Sequence, residues 1–249
     1  MLRSSHKVLT LRLGVQGYSI SQGKETPRQW LRWPAEVVSI DGVQAQLAKL
    51  ELPHIQGHTL LDVVFDTALT RMQIVRFPNG LRKTAERTAY LKACFRNVFG
   101  QDANNWHIVA ETAYMNEPVP AVAIEPNLLQ AVTAFGERHK LKLRSMRTSF
   151  VDLFNSVQRK LSAYTGAIAL IENGRVCLGF WRKRSWVSVS AQAIANDDAN
   201  ALADLHAQML ARIDPPMPAG TLYVAGTPSA RPLPLREGWA AQWIASGAQ

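Results

Sequence analysis

The sequence predicts a duplicated α/β fold, in which two βββαβ units form mixed sheets flanked by helices. Residues 7–66 follow the order strand, strand, strand, helix, strand, and residues 166–225 follow the same order without obvious sequence identity. The composition is that of a globular protein, because 47% of the 249 residues are hydrophobic and 19% are charged. We expect two halves, residues 1–140 and 141–249.

The first unit begins with a strand in which Leu9, Leu11 and Leu13 alternate with more polar residues. Gly14 and Gly17 bound the turn to the second strand. The third strand is expected after a loop that contains two tryptophans. In order, the predicted elements are strands 6–13, 18–22 and 36–40, helix 44–52 and strand 59–65.

Helical and strand patterns also fill the segment between the two units. Thr84 is expected to be the N-cap of a helix that Gly100 ends, and Pro126 is expected to open another helix. The predicted elements are strand 72–77, the helix between 84 and 100, strands 106–111 and 119–124, the helix from 126, strand 141–146 and helix 150–161.

The second unit contains a hairpin signal, since Asn173-Gly174 suits a two-residue turn between strands. The tail from Gly226 is expected to be a surface segment that packs through its tryptophans, Trp239 and Trp243. The predicted elements are strands 166–171, 176–181 and 186–191, helix 198–213 and strand 221–225.

Charge and cysteine content limit the class of protein. The net charge of +9 favours an anionic partner, which leaves nucleic acid, an anionic membrane surface and an acidic protein open. Cys94 and Cys177 fall on apolar positions, so we expect two buried, reduced thiols. No apolar run approaches the roughly 20 residues that span a bilayer, and no signal peptide is evident. We therefore expect a cytoplasmic protein with no transmembrane segment.

Basic residues form two clusters that are candidates for binding an anion or a partner. Cations interleaved with aromatic rings suit single-stranded nucleic acid, an acidic protein or a phospholipid surface. The alternative is a charged hairpin tip whose aromatic rings pack inward, and we favour it. The first cluster is Arg138, Lys140, Lys142, Arg144 and Arg147; the second is Arg182, Lys183 and Arg184, between Trp181 and Trp186.

Three stretches carry a resemblance to a known family. They are the strand-turn-strand from Leu9 to Ile20, the hairpin region from Gly166 to Trp186, and Val224-Ala225-Gly226-Thr227. With the layout of the whole chain, they resemble the actin-like proteins, of ribonuclease-H-like fold, that serve bacterial type IV pilus and type II secretion machines: PilM and the cytoplasmic domain of GspL. The resemblance implies that fold and a cytoplasmic location, peripheral to the inner membrane.

The resemblance also implies an Asp-x-Gly loop after the first strand of each half, where the acid positions magnesium and the glycines admit phosphate. Gly14, Gly17 and Gly226 are the corresponding cofactor-binding candidates. The position for aspartate is Arg12, and the second half has Tyr164-Thr165-Gly166. Because Mg-ATP chemistry needs these carboxylates, we expect a pseudo-ATPase without a cofactor, and ATP binding is the alternative.

Other metal and catalytic sites have little support. A ribonuclease-H-type nuclease needs an acid on its first strand, and this chain has none there. Asp62 and Asp66 share a strand face, and we expect a solvated strand end there. His54 and His58 are four residues apart, but Pro53 and Gly57 favour a loop over a helical metal site. No catalytic residue and no metal ligand is predicted.

These observations predict a non-enzymatic assembly or scaffold component of a pilus- or secretion-type machine. Its expected partner is a protein of an inner-membrane assembly. Two alternatives remain open at this point: a nucleic-acid-binding protein that uses the two basic clusters, and an actin-like ATPase with atypical loops.

Overall fold

A computed structural model describes most of the chain in two compact units. One unit contains the described residues of Met1–Thr70 and Ile124–Asp152, and the other contains those of Arg71–Ala123 and Leu153–Ser246. The expected division of the chain at residue 140 stays a prediction. The described residues are 7–23, 30–34, 39–52, 59–81, 83–111, 117–161, 163–194, 199–226 and 232–244.

Most of the described strands and helices lie where the sequence predicts them. The strands are β1 Lys7–Leu13, β2 Gly17–Gln22, β3 Leu31–Arg32, β4 Thr59–Phe65, β5 Arg71–Arg76, β6 His107–Ala110, β7 Pro118–Ile124, β8 Lys142–Thr148, β9 Thr165–Glu172, β10 Arg175–Arg182, β11 Ser185–Ala193, β12 Gly220–Ala225 and β13 Trp239–Trp243. The α-helices are α1 Ile40–Lys49, α2 Thr84–Phe99, α3 Pro126–Arg138, α4 Ser149–Val157 and α5 Ala199–Ala211, and 3₁₀ turns follow α2 and α4.

The first unit contains a five-stranded sheet in the order β3-β2-β1-β4-β8. The first three strands are antiparallel, while β4 runs parallel to β1 and β8 runs parallel to β4. Alternate residues of β1 and β4 bury one sheet face against α1 and α3, as period-two side-chain alternation requires. This core contains Leu9, Leu11, Leu13, Val43, Leu47, Leu61, Val63, Phe65, Leu128, Val132 and Phe135.

The second unit contains a sheet with the same plan, in the order β11-β10-β9-β12-β13. Strands β9 to β11 are antiparallel, β12 runs parallel to β9, and β13 runs parallel to β12. Helix α5 supplies Leu202, Leu205 and Met209 to its core. The predicted duplication of a βββαβ unit is confirmed, and in each sheet a fifth, parallel strand follows at the edge.

A smaller sheet in the second unit has the order β5-β7-β6 and packs with α2. Its core contains Val75, Phe77, Leu91, Phe95, Val119 and Ala121. Helix α2 begins one residue earlier than predicted: Lys83, not Thr84, is the N-cap, and its amide donates a 3.3 Å hydrogen bond to the Glu86 carboxylate. Gly100 ends the helix with a φ of 89°, as predicted.

The third strand of the first unit differs from the prediction. Residues 36–38 lie outside the described residues, and Ile40 begins α1, with Ser39 as an N-cap that accepts from the Gly42 amide. The observed third strand is Leu31–Arg32, which pairs with β2 inside the stretch expected to be a loop. A two-residue strand is too short to produce an alternating pattern, so the sequence contains no strand signal there.

The tail also differs, because it contains β13 in addition to the expected aromatic packing. Trp239 is buried in the core of the second sheet, and its ring lies where a Cβ on Gly220 would be. Cys177 is buried, as predicted, whereas Cys94 is only half-buried, and both are free in this structure; their reduced state stays a prediction. Among the described residues, no helix is long and apolar enough to cross a membrane.

Candidate functional site

A network of charged side chains lies on the first sheet, on the face opposite α1 and α3. Arg12 on β1 and Asp62 on β4 alternate with the core residues Leu11 and Val63, so their side chains lie on the other face. Strand β8 and the first turn of α4 complete the network. Its members are Arg12, Asp62, Arg144, Ser145, Arg147 and Asp152.

A β-bulge brings two neighbouring residues of β8 to the same carboxylate. Leu61 pairs with Leu143 and Asp62 pairs with Ser145, so Arg144 is the extra residue. Arg144 Nε donates to Asp62 Oδ1 at 2.8 Å, and its Nη2 donates to Oδ2. Ser145 Oγ also donates to Oδ1, at 2.8 Å. The bulge thus allows bidentate pairing and a third hydrogen bond at one buried acid.

Asp152 binds the remaining two guanidinium groups. Arg12 Nη2 donates to its Oδ2 at 2.5 Å, and Arg147 Nε donates to its Oδ1 at 2.6 Å. Arg147 Nη1 also donates to Ser145 Oγ at 2.8 Å and lies 3.5 Å from Asp62 Oδ2, which joins the two acids into one network. Three guanidinium groups surround two carboxylates, so the network carries a surplus of positive charge.

The arginines determine the charge state of Asp62. Burial alone would raise its pKa, but hydrogen bonds from Arg144 and Ser145 and the charges of Arg144 and Arg147 outweigh burial and lower the pKa below its ordinary value. The hydrogen bond to Asp62 in turn raises the pKa of Arg144. Both groups are therefore ionised at neutral pH.

The expectation of a solvated strand end at Asp62 and Asp66 is wrong. Their exposed fractions are only 2% and 3%. Asp62 is buried in its ion pairs, and Asp66 Oδ1 accepts from the Ala68 amide at 2.8 Å in the turn after β4. Arg144 lies 82 residues from Asp62 along the chain, so no local pattern shows the pairing.

Arg12 occupies the position at which the resemblance implies an acid that positions magnesium. A guanidinium is a donor only and cannot ligate a metal. Asp152, the nearest carboxylate, already binds Arg12 and Arg147. The described part of the chain contains no group of three or more His, Cys, Asp or Glu side chains that could hold a metal ion. His54 and His58 lie outside it.

The turn between Gly14 and Gly17 is tightly packed. The Gly14 amide donates to the Gly17 carbonyl at 2.9 Å, and Trp33 Nε1 donates to the Gly14 carbonyl at 3.0 Å. A Cβ on Gly17 would lie 2.1 Å from the Leu31 carbonyl oxygen, and a Cβ on Gly14 would lie 2.9 Å from Asp66 Oδ2 and 3.1 Å from the Trp30 ring. Close approach of β3, Trp30 and Asp66 therefore accounts for both glycines, and their role in cofactor binding stays a prediction.

Gly226 has a similar structural reason to be glycine. Its φ is 145°, and a Cβ there would lie 2.9 Å from the Ile171 Cβ and 3.0 Å from the Ile171 carbonyl oxygen. The end of β12 therefore passes close to β9. Binding of a cofactor at Gly226 stays a prediction.

The first basic cluster divides into parts with different roles. The Arg138 guanidinium donates to the Leu47, Ala48 and Leu50 carbonyls at 2.6–2.9 Å, which caps the C-terminus of α1. Arg144 and Arg147 belong to the charged network. Lys140 and Lys142 are exposed. Three of the five cations therefore bind groups within the first unit.

The second basic cluster lies at the turn between β10 and β11. Arg182 donates to the Pro215 carbonyl, whereas Lys183 and Arg184 are exposed. Trp181 is 5% exposed, stacks on Tyr223 with 6.1 Å between ring centroids, and donates to the Ala163 carbonyl at 3.1 Å. The favoured interpretation, a charged hairpin tip with inward-packed aromatic rings, matches this geometry.

Three solved structures resemble this chain. They are the cytoplasmic domain of EpsL, an inner-membrane component of the type II secretion system of Vibrio cholerae, at TM-score 0.60 and 13% identity; a Bacteroides thetaiotaomicron protein with actin-like ATPase fold, at 0.61 and 12%; and the PilM-PilN type IV pilus biogenesis complex, at 0.56 and 11%. The matches cover 96%, 92% and 87% of this chain and 90%, 87% and 81% of the respective structures.

The sequence comparisons give no such result, since no family model and no curated protein sequence matches this chain. The structural matches confirm the predicted resemblance to proteins of the GspL and PilM type at the level of fold. The chain has the actin-like fold.

Proposed function

We propose that this chain is a non-enzymatic assembly component of a secretion- or pilus-type machine, and that it binds a protein partner at the cytoplasmic side of the inner membrane. Two structural neighbours support this proposal: the EpsL domain belongs to a type II secretion system, and PilM was solved in a complex with PilN. The chain covers at least 81% of each of these structures.

The observation that carries the non-enzymatic part of the proposal is the environment of Arg12. The side chain at the implied position of a magnesium ligand is a cation, and Asp152 binds it in an ion pair of 2.5 Å. Arg147 Nε donates a hydrogen bond to the other carboxylate oxygen of Asp152. A magnesium ion at this point would have to displace two charge-assisted hydrogen bonds, each worth about 1.5–3 kcal/mol.

Calorimetry with Mg-ATP tests the pseudo-ATPase part. We expect neither binding heat nor a rise in melting temperature at millimolar Mg-ATP, because a ligand that binds only the folded chain must stabilise it. The control is the same titration with ATP and EDTA, which identifies heat from nucleotide without metal. Magnesium-dependent binding or hydrolysis would establish the alternative, an ATPase with atypical loops.

Capture in the source cell tests the partner part. Photo-crosslinkers placed one at a time on exposed residues of both units, such as Lys140 and Lys183, should recover an envelope protein of a secretion or pilus machine. A chain carrying the crosslinker at a buried residue, Leu47, is the control for background. Recovery of only soluble proteins would contradict the proposed role.

The nucleic-acid alternative has lost its main support. Base stacking needs exposed rings beside the cations, and Trp181 is buried against Tyr223 and Phe154. Retention of single-stranded DNA that falls steeply with salt would restore it.

A further inference from the structure

The two hairpin turns of the second sheet share a backbone geometry and differ in sequence. In the β9–β10 turn, Asn173 and Gly174 have φ of 49° and 70°. In the β10–β11 turn, Lys183 and Arg184 have φ of 52° and 65°. Asn-Gly is the favoured pair for such turns, whereas the left-handed region brings the Cβ of an ordinary residue too close to a carbonyl oxygen. The second turn therefore uses two cations where an uncharged pair fits better.

The surrounding structure fixes this turn. Arg182 pairs with Ser185 on β11 and with Thr165 on β9, and its guanidinium binds the Pro215 carbonyl. Tyr164 precedes Thr165 and is 60% exposed, so an exposed ring lies at the same end of the sheet. We name Tyr164, Lys183 and Arg184 the basic tip.

The cations of the basic tip differ in their pairing from the arginines of the charged network. Arg12, Arg144 and Arg147 each bind a carboxylate. No ion pair involves Lys183 or Arg184 within the part of the chain that is described. Two exposed cations in the left-handed region, with no acid bound to them among the described residues, can therefore meet an anion from outside.

The size and composition of the basic tip decide among anionic partners. Recognition of an anionic lipid surface typically uses clusters of about four to eight cations, and the basic tip has two. Single-stranded nucleic acid needs several exposed rings. A short acidic segment fits, because an arginine fork binds a carboxylate at two points and a lysine adds a second charge.

We propose that the basic tip is a docking point for an acidic segment, rich in Asp and Glu, of a partner protein. This inference rests on the proposed function, because the acidic segment would belong to the protein partner proposed there. The local turn strain supports it independently, because residues in unfavourable backbone conformations concentrate at functional sites.

The test compares the whole chain with a variant that carries Lys183→Asn and Arg184→Gly, the pair found in the sister turn. NMR titration of each isotope-labelled chain with a hexaglutamate peptide reads out the binding site. In the unchanged chain, we expect the peptide to change the amide chemical shifts of Tyr164 and of residues 182–186, and we expect these changes to become smaller as salt rises. The variant should bind about tenfold more weakly and unfold at a higher urea concentration, since the turn strain is relieved.

A matched control removes the same charge elsewhere: Lys92→Gln with Arg96→Gln, both exposed on α2. It should keep hexaglutamate binding within twofold. Equal weakening in both variants, shifts away from the basic tip, or unchanged binding by the Asn-Gly variant would overturn the proposal.

Further arms test the other partner classes. Vesicles with phosphatidylglycerol and a dT12 oligonucleotide replace the peptide, and stronger binding to either than to hexaglutamate at equal salt would also overturn the proposal. Failure of the machine-component role can be told apart from failure of the acidic-segment proposal. The first is tested by capture in the cell, and the second by titration of the purified chain with a peptide.

Discussion

The substitution Asp62→Asn tests whether the charged network stabilises the first sheet. It keeps the shape of the side chain and an acceptor for Ser145, but removes the charge that Arg144 and Arg147 bind. If the pair behaved like an exposed one, the loss in unfolding free energy would be about 0.2–1 kcal/mol. Removal of one partner from a buried pair costs about 3–5 kcal/mol.

The structure places the expected value between these limits. Asp62 is buried, but the Arg144 side chain is 47% exposed, so water can hydrate that guanidinium after the substitution. Loss of charge at a bidentate contact, with the Ser145 hydrogen bond retained, corresponds to about 2–3 kcal/mol. Urea unfolding at pH 7 measures it, and the exposed Asp204→Asn on α5 is the control, with an expected change within about 0.5 kcal/mol.

The pH dependence of the difference in unfolding free energy between the unchanged chain and Asp62→Asn gives a second test. The pKa of Asp62 is lowered by folding, so its contribution is present above the unfolded pKa of about 3.9 and is lost as pH falls through the folded value. The gap between the unchanged chain and Asp62→Asn should stay constant from pH 8 to 5 and shrink below about pH 4. A gap under 1 kcal/mol at pH 7, or one that is undiminished at pH 3, would refute this account of the network.

Three other substitutions test separate features. His206 is fully buried and contacts Phe180 and Trp239, and burial lowers its pKa to about 4. Because the unfolded histidine binds a proton at higher pH, the free energy of unfolding should fall by about 3 kcal/mol between pH 6.5 and 4. His206→Leu should abolish that loss in urea titrations. Gly17→Ala should destabilise by about 1–3 kcal/mol in urea, since its Cβ meets the Leu31 carbonyl, whereas Gly23→Ala, with open space around it, should show only the smaller cost of its positive φ. Arg138→Met should cost about 1–3 kcal/mol through the uncapped end of α1, and an equal loss for exposed Arg236→Met would contradict the capping role.

Features that depend on neighbouring residues were predictable from the sequence. Leu9, Leu11 and Leu13 mark β1 by alternation, and Asn173-Gly174 marks a hairpin through the backbone angles that this pair allows. The repeated βββαβ order follows from such local signals. Together with the resemblance to the PilM and GspL proteins, that order predicted the actin-like fold.

Features that depend on distant partners were not predictable. Strand β13 exists because its edge pairs with β12, and its sequence, Trp-Ala-Ala-Gln-Trp, has too little alternation to show it. Burial of Asp62 depends on an arginine 82 residues away, and Asp152 binds Arg12 across 140 residues. Hydrophobic periodicity and residue propensity therefore predict most strands and helices. The ion pairs that define the candidate site can be seen only in the folded structure, where the strands lie side by side.

The same pairing explains why a single change at residue 12 would not restore a magnesium site. Arg12→Asp would remove one of the two cations on Asp152 and place a third carboxylate on this sheet face. Arg147 and Arg144 would still bind the two existing acids, so the new carboxylate would meet guanidinium groups before it met a metal. Arg12 is thus coupled to the arginines on β8 through Asp152. A chain with this network would need coordinated changes on three elements, β1, β8 and α4, before magnesium could replace the guanidinium groups, which is the physical argument for a binding role over a catalytic one.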